Sequence, residues 1–137
     1  MASVLENKSV LIVDDEWDVC ETVAQELSMC AMDMATSYDQ AREKLGAHLY
    51  DVVILDVMGV KGMELLAEFG ASQRCVMLSA RKVGLKHVEA AVKAGARLYL
   101  LKSQLTELAP CLEELFLRDS QGIQGFRSRV EDSQDDA

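Results

Sequence analysis

YDVVILDVMGVKG, residues Tyr50 to Gly62, joins a short apolar run to a single carboxylate and then to a glycine-bearing loop. Val52-Val53-Ile54-Leu55 is continuous and rich in β-branched side chains. Such a run predicts a strand buried on both faces, as in a parallel sheet. Asp56 closes it. A carboxylate at the end of a buried strand costs free energy unless its charge is compensated. In open α/β sheets that end is also where ligands bind. What Asp56 can do therefore depends on which other groups reach the same edge.

Working upstream, Val10-Leu11-Ile12-Val13 is another buried strand, followed by Asp14-Asp15-Glu16. Cys20, Val23, Ala24 and Leu27 then recur at helical spacing. Met32 to Thr36 forms a weaker strand signal. Ser37-Tyr38-Asp39-Gln40 has the form of a capping box and opens a helix with Ala41 and Leu45 inward, ending near Gly46. Working downstream, Gly62 to Phe69 is a short helix closed by Gly70. Cys75-Val76-Met77-Leu78 is a strand ending in Ser79. Val88, Ala91 and Val92 give a helix face that stops at Gly95. Leu98-Tyr99-Leu100-Leu101 is the fifth strand, ending in Lys102. Leu105, Leu108, Leu112 and Leu115 mark a last amphipathic helix, with Pro110 either in its first turn or kinking it. Five strands alternating with five helices predict a doubly wound five-stranded parallel α/β sheet with helices on both faces.

Composition narrows the function classes. At 137 residues, half of them apolar, the chain has the size of one globular domain. Its apolar runs are too short to span a membrane, and no secretory signal opens it. The net charge of −9 speaks against a basic nucleic-acid-binding face. Cys20, Cys30, Cys75 and Cys111 are scattered, with no CxxC. They read as small core residues in a reducing, cytoplasmic setting rather than a disulfide frame or metal site. Residues 1–118 form the expected domain, and residues 119–137, ending EDSQDDA, an acidic and flexible tail.

A parallel sheet puts the ends of its strands on one edge, so Asp14, Asp15, Asp56, Ser79 and Lys102 converge. Three carboxylates in one crevice repel one another, and a hard divalent cation relieves this. Mg2+ favours one or two carboxylates plus waters and a phosphate oxygen. A lysine and a hydroxyl supply a charge and a donor for the other oxygens of a phosphoryl group. Together these residue types suit phosphoryl transfer, where positioning and charge neutralisation do most of the work. Taken singly, each has a plainer reading: Asp14-Asp15 as a helix cap, Ser79 as a cap, Lys102 as a surface lysine, Tyr99 as a half-buried core aromatic.

The ordered set VLIVDDE, VVILDVM, VMLSA, KAGA and LYLLK, spread over roughly residues 8 to 117, resembles the receiver domain of two-component response regulators. The resemblance implies the flavodoxin-like, CheY-like strand order 2-1-3-4-5. It implies that Asp56 is the phosphoacceptor, taking a phosphoryl group from a phosphohistidine on a sensor histidine kinase or histidine phosphotransfer protein. Asp14, Asp15, Asp56 and the backbone carbonyl of Met58 would hold Mg2+, with Mn2+ able to substitute. Ser79 and Lys102 would bind phosphoryl oxygens, and Tyr99 would be the switch aromatic. Met58 and Arg81 would tune the lifetime of the phosphorylated state. The surface of the fourth helix, fifth strand and last helix would change shape, controlling a downstream protein target or a homodimer, or the phosphoryl group would be relayed onward. Such a protein would be a signalling receiver rather than an enzyme, and a stand-alone one is expected, since the residues of this sequence after the last helix are too few to form an output domain.

Two features depart from the family pattern. Ser103 stands where a proline usually follows the lysine, and Met58-Gly59-Val60-Lys61-Gly62 is about two residues shorter than the usual proline-containing loop. A receiver fold acting as a phosphorylation-independent scaffold is the alternative reading. An aspartyl-phosphate hydrolase fits less well, since such enzymes place the nucleophile in a DxD after the first strand. Nucleotide binding is excluded by DDEWD standing where a glycine-rich loop belongs. His48 and His87 read as solvated side chains, and Trp17 as a cover for the first helix start near the acidic cluster.

Overall fold

The computed structural model describes residues 3–122 together with the backbone of residues 127 and 128. In chain order the elements are β1 (Ser9–Val13), α1 (Trp17–Glu26), β2 (Ala31–Ala35), α2 (Tyr38–Ala47), β3 (Val52–Asp56), α3 (Gly62–Phe69), β4 (Cys75–Ser79), α4 (Leu85–Lys93), β5 (Ala96–Leu101), a 3-10 turn (Lys102–Glu107), α5 (Leu108–Ser120) and β6 (Arg127–Ser128). The sheet order is β2-β1-β3-β4-β5-β6, with every pairing parallel. The five expected strands are present in the expected order, and the two residues of β6 extend the sheet beyond β5.

Strand alternation builds two cores. Val10, Ile12, Val52, Ile54, Val76, Leu78, Leu98 and Leu100 face α1 and α5, meeting Cys20, Val23, Leu27, Leu108, Leu112 and Leu115. Leu11, Val13, Val53, Leu55, Cys75, Met77 and Tyr99 face the other layer, meeting Ala41, Leu45, Leu65, Leu66 and Ala91. Because both faces are covered, the central strands lack polar alternation. Each fully buried Leu, Ile or Val contributes roughly 1.5–3 kcal/mol.

Local signals set the ends. Ser37 caps α2 by accepting a bond from the Gln40 amide; the Gln40 side chain reaches back to the amide of Thr36 rather than of Ser37. Pro110 is the third residue of α5, inside the first turn, where its missing N–H is not needed. Gly95, at φ +110, turns the chain from α4 into β5 beside the Gly70 carbonyl. The last helix extends two residues past 118, and Asp119 is tied to Arg74 and Arg97. Of the tail expected to be flexible, residues 123–126 and 129–137 lie outside the described residues.

The connections place a crevice. The chain leaves β1 toward β2 on one side and returns as β3 on the other, so the order reverses between β1 and β3. At such a reversal the following loops diverge and open a space beyond the carboxyl ends of the strands. Asp14 and Asp56 stand at the ends of these two strands.

Candidate functional site

The sheet brings Asp14, Asp56 and Lys102 together. The Lys102 Nζ lies 2.9 Å from Asp14 Oδ2, 3.1 Å from Asp56 Oδ1 and 2.7 Å from Glu16 Oε1. Asp14 is fully buried and Asp56 is 3% exposed, whereas Glu16 is exposed. Two carboxylates removed from water therefore share one ammonium group. Burial opposes the lysine's charge, but its bonds to Glu16, Asp14 and Asp56 outweigh this and push its pKa up. Burial also raises the pKa of Asp14, helped by the nearby charge of Asp56, against the attraction of Lys102 and a bond from the Glu16 amide.

The lysine does not satisfy every oxygen. Asp14 Oδ2 lies 2.9 Å from Nζ, an ion pair whose alignment is poor for a hydrogen bond. Ligand atoms of Asp14, Asp15 and Glu16 lie within 4.8 Å of one another. A buried carboxylate oxygen held only by this ion pair, inside an acidic cluster, fits a hard divalent cation, which accepts oxygen ligands. Met58, expected to contribute its carbonyl, is exposed, and that carbonyl receives only a long 3.4 Å bond from the Lys61 amide.

The short loop after β3 folds tightly against the acids. The Gly59 amide donates to Asp56 Oδ2 at 2.9 Å. A Cβ on Gly59 would come within 2.3 Å of Asp15 Oδ1, and one on Gly62 within 2.0 Å of the Asp56 backbone oxygen. Gly62 is therefore required by space, since it faces backbone, whereas at Gly59 the exposed Asp15 side chain would have to move aside. The tight path also puts Lys61 in the left-handed region at φ +54, uncommon for a side chain of this kind. Val60 is buried beneath the loop.

Ser79 ends β4 at 3% exposure, and its hydroxyl donates to the Arg81 carbonyl. Arg81 itself is exposed. Tyr99 is fully buried, its hydroxyl is near Ser79 but has no well-aligned hydrogen-bond partner among the described residues, and burial pushes its pKa to about 12. Its ring meets the His87 ring edge-on, with centroids 5.6 Å apart. This corrects the expectation that His87 is solvated: it is half-buried, and its Nε2 has no partner among the described residues, because α4 lays it over β5. His48 is exposed, as expected. Trp17 is 57% exposed, so it opens α1 without being packed as a cover.

Sequence reasoning missed three contributors. Glu16 was legible as the third acid of the DDE run, but its bond to Lys102 was not. Gly59 was visible as a loop glycine, with nothing to indicate contact with two carboxylates. His87 carried no signal at all, since its role depends on how α4 lies on β5.

The order-reversing parallel sheet and its acid–lysine edge define a CheY-like receiver fold. The chain matches the response regulator receiver domain over residues 10–111, most of its length, and belongs to that family. Solved structures agree. A CheY-like response regulator receiver domain protein from Methanospirillum hungatei JF-1 has a TM-score of 0.70 at 19% identity, covering 85% of this chain and 99% of that one. A response regulator from Thermotoga maritima has a TM-score of 0.70 at 24% identity, covering 79% and 96%. One from Burkholderia pseudomallei, solved with a phosphorylated aspartic acid, calcium ion and citrate, has a TM-score of 0.65 at 23% identity, covering 95% and 72%. At these identities the likeness is one of fold. No curated protein matches the chain significantly. No helix among the described residues is long and apolar enough to cross a membrane.

Proposed function

We propose that the protein is a phosphorylation-dependent signalling switch whose Asp56 takes a phosphoryl group from a phosphohistidine of a sensor kinase or histidine phosphotransfer protein. The observation that carries this reading is the Lys102 ammonium group between the buried carboxylates of Asp14 and Asp56. One Asp56 oxygen forms the bond to phosphorus as the phosphorus–nitrogen bond breaks, and the departing imidazole takes up a proton from solvent. Attack by Oδ2 gives up its bond from the Gly59 amide.

Asp14, Asp15, Asp56 and the Met58 carbonyl would hold Mg2+ or Mn2+. The cation, when bound, neutralises charge on the carboxylates and the phosphoryl oxygens. Lys102 exchanges part of its contact with Asp56 for a phosphoryl oxygen, and the Ser79 hydroxyl turns from the Arg81 carbonyl toward another. Met58 and Arg81, both exposed at the rim, govern access of water and so the lifetime of the acyl phosphate. Movement of Ser79 frees space beside Tyr99 and shifts the packing of α4 on β5. That biases the α4–β5–α5 surface toward or away from a downstream protein or a second copy.

The test is intact mass after incubation with a small phosphodonor and Mg2+. A gain of one phosphoryl group in the wild type, absent in Asp56→Asn and without Mg2+, supports the switch. No gain in a folded, Mg2+-binding protein would favour the second reading, a phosphorylation-independent scaffold. The near-complete burial of Asp56 beneath the Gly59 amide is the observation that favours that alternative.

A further inference from the structure

We propose that the acidic segment 129–137 docks on the basic outer face of α4 in the same molecule, covering the α4–β5 surface. The regulatory meaning of this contact rests on the switch reading above; the contact itself does not.

The receiving face is built from two rows. Leu85, Glu89 and Val92 are spaced i, i+4, i+7, and Lys86, Ala90 and Lys93 repeat that spacing one residue on. All six are exposed. Residues at these spacings share a helix face. Leu85 and Val92 are among the large apolar side chains left in solvent, at 55% and 38% exposure. Arg81 and Lys82, also exposed, stand just before the helix. In a chain of net charge −9, residues 81–93 thus carry four cationic groups against the single carboxylate of Glu89.

The occupant has the complementary chemistry. RVEDSQDDA, residues 129–137, holds Glu131, Asp132, Asp135 and Asp136 against one arginine, with Val130 as an apolar contact. It is also delivered to the right place. Arg127 and Ser128 pair in parallel with Leu98 and Tyr99, so β6 points toward the carboxyl edge of the sheet. α4 begins at that edge, following β4, and lies against β5. The basic residues nearest that end are Arg81, Lys82 and Lys86. Gly84 caps α4 without a side-chain bond, and the first turn of a helix favours acidic neighbours. Nine extended residues reach about 30 Å, whereas a nine-residue helix is only about 14 Å long. The segment can therefore run the length of the face.

The experiment uses the full chain with a nitroxide on Ala137→Cys, in a Cys30→Ser background because the other three native cysteines are buried. Amide peaks of residues 81–93 should lose intensity relative to the diamagnetic form. The loss should disappear in Glu131→Gln/Asp132→Asn/Asp135→Asn/Asp136→Asn, and in about 1 M salt, where charges are screened beyond roughly 3 Å. Spin-labelled protein mixed with unlabelled isotope-enriched protein should leave those peaks intact. Broadening in that mixture would mean that the tail docks on a second copy, and would overturn the proposal. So would an absence of broadening at α4, or broadening that survives neutralisation of the tail. Intact-mass phosphorylation of the same variants tests the switch reading separately.

Discussion

Gly59 sits so close to Asp15 that a Cβ would lie 2.3 Å from its Oδ1. The far end of an exposed side chain can yield, so Gly59→Ala should push the Asp15 carboxylate outward rather than unfold the chain. If Asp15 holds a cation, the variant should bind Mg2+ roughly tenfold more weakly, about 1.4 kcal/mol. A Trp17 fluorescence titration measures this, and circular dichroism checks the fold. Unchanged affinity would remove Asp15 from the metal set.

Lys102 is a single counter-charge shared by two carboxylates with almost no access to water, Asp14 at 0% and Asp56 at 4% side-chain exposure. Removing one partner of a buried ion pair leaves an uncompensated charge and costs about 3 kcal/mol. Lys102→Met should therefore lower stability by about that much in chelator. Mg2+ should restore part of it, since a ligand bound only by the folded state stabilises that state. Urea unfolding with and without Mg2+ provides the comparison. Equal losses in both conditions would mean that the cation does not meet these carboxylates.

Tyr99 presents the opposite case, a buried hydroxyl with no well-aligned partner among the described residues, Ser79 being the group near it. An unsatisfied buried polar group costs roughly 1–3 kcal/mol. Tyr99→Phe should accordingly hold or raise stability, by about 1 kcal/mol, in thermal unfolding. A clear loss would show that the phenol is bonded in solution.

At the opposite end of the sheet, Asp119 joins Arg74 and Arg97 to the end of α5. Burial opposes its charge, but the hydrogen bond and charge of Arg97, and then those of Arg74, outweigh it and hold the carboxyl below its usual range. A folded-state pKa below the unfolded one means the unfolded chain binds the proton more readily. The stabilisation is then complete above the unfolded value, about 3.9. It is lost as pH falls through the depressed folded pKa. Asp119→Asn should cost about 2 kcal/mol near neutrality. The gap from wild type should close as unfolding is followed from about pH 4 downward. A gap that is constant with pH would mean that the residue acts through packing.

The architecture was legible because it rests on short-range patterns. Val52 to Leu55 and its counterparts had to be strands covered on both faces, and α1, α2 and α4 announced themselves by apolar spacing. The site residues could be read because parallel strands place their ends on one edge, which makes Asp14, Asp56, Ser79 and Lys102 neighbours by topology alone. Their partners could not be read in this way. That His87 lies against Tyr99 follows from the placement of α4 on β5, which no local pattern encodes.

The amino-acid sequence by itself determined the doubly wound sheet, the strand order that its family resemblance implied, and which chemical groups reach the carboxyl edge. Hydrophobic burial is set residue by residue, and strand and helix periods are local. Only the tertiary structure decided how those groups share charge and space: Lys102 divided among Asp14, Glu16 and Asp56, Gly59 pressed on Asp15 and bonded to Asp56, and Ser79 turned to Arg81. Those contacts join residues from different strands and loops, and their energies depend on distances of a few ångströms that are set only when all the layers pack together.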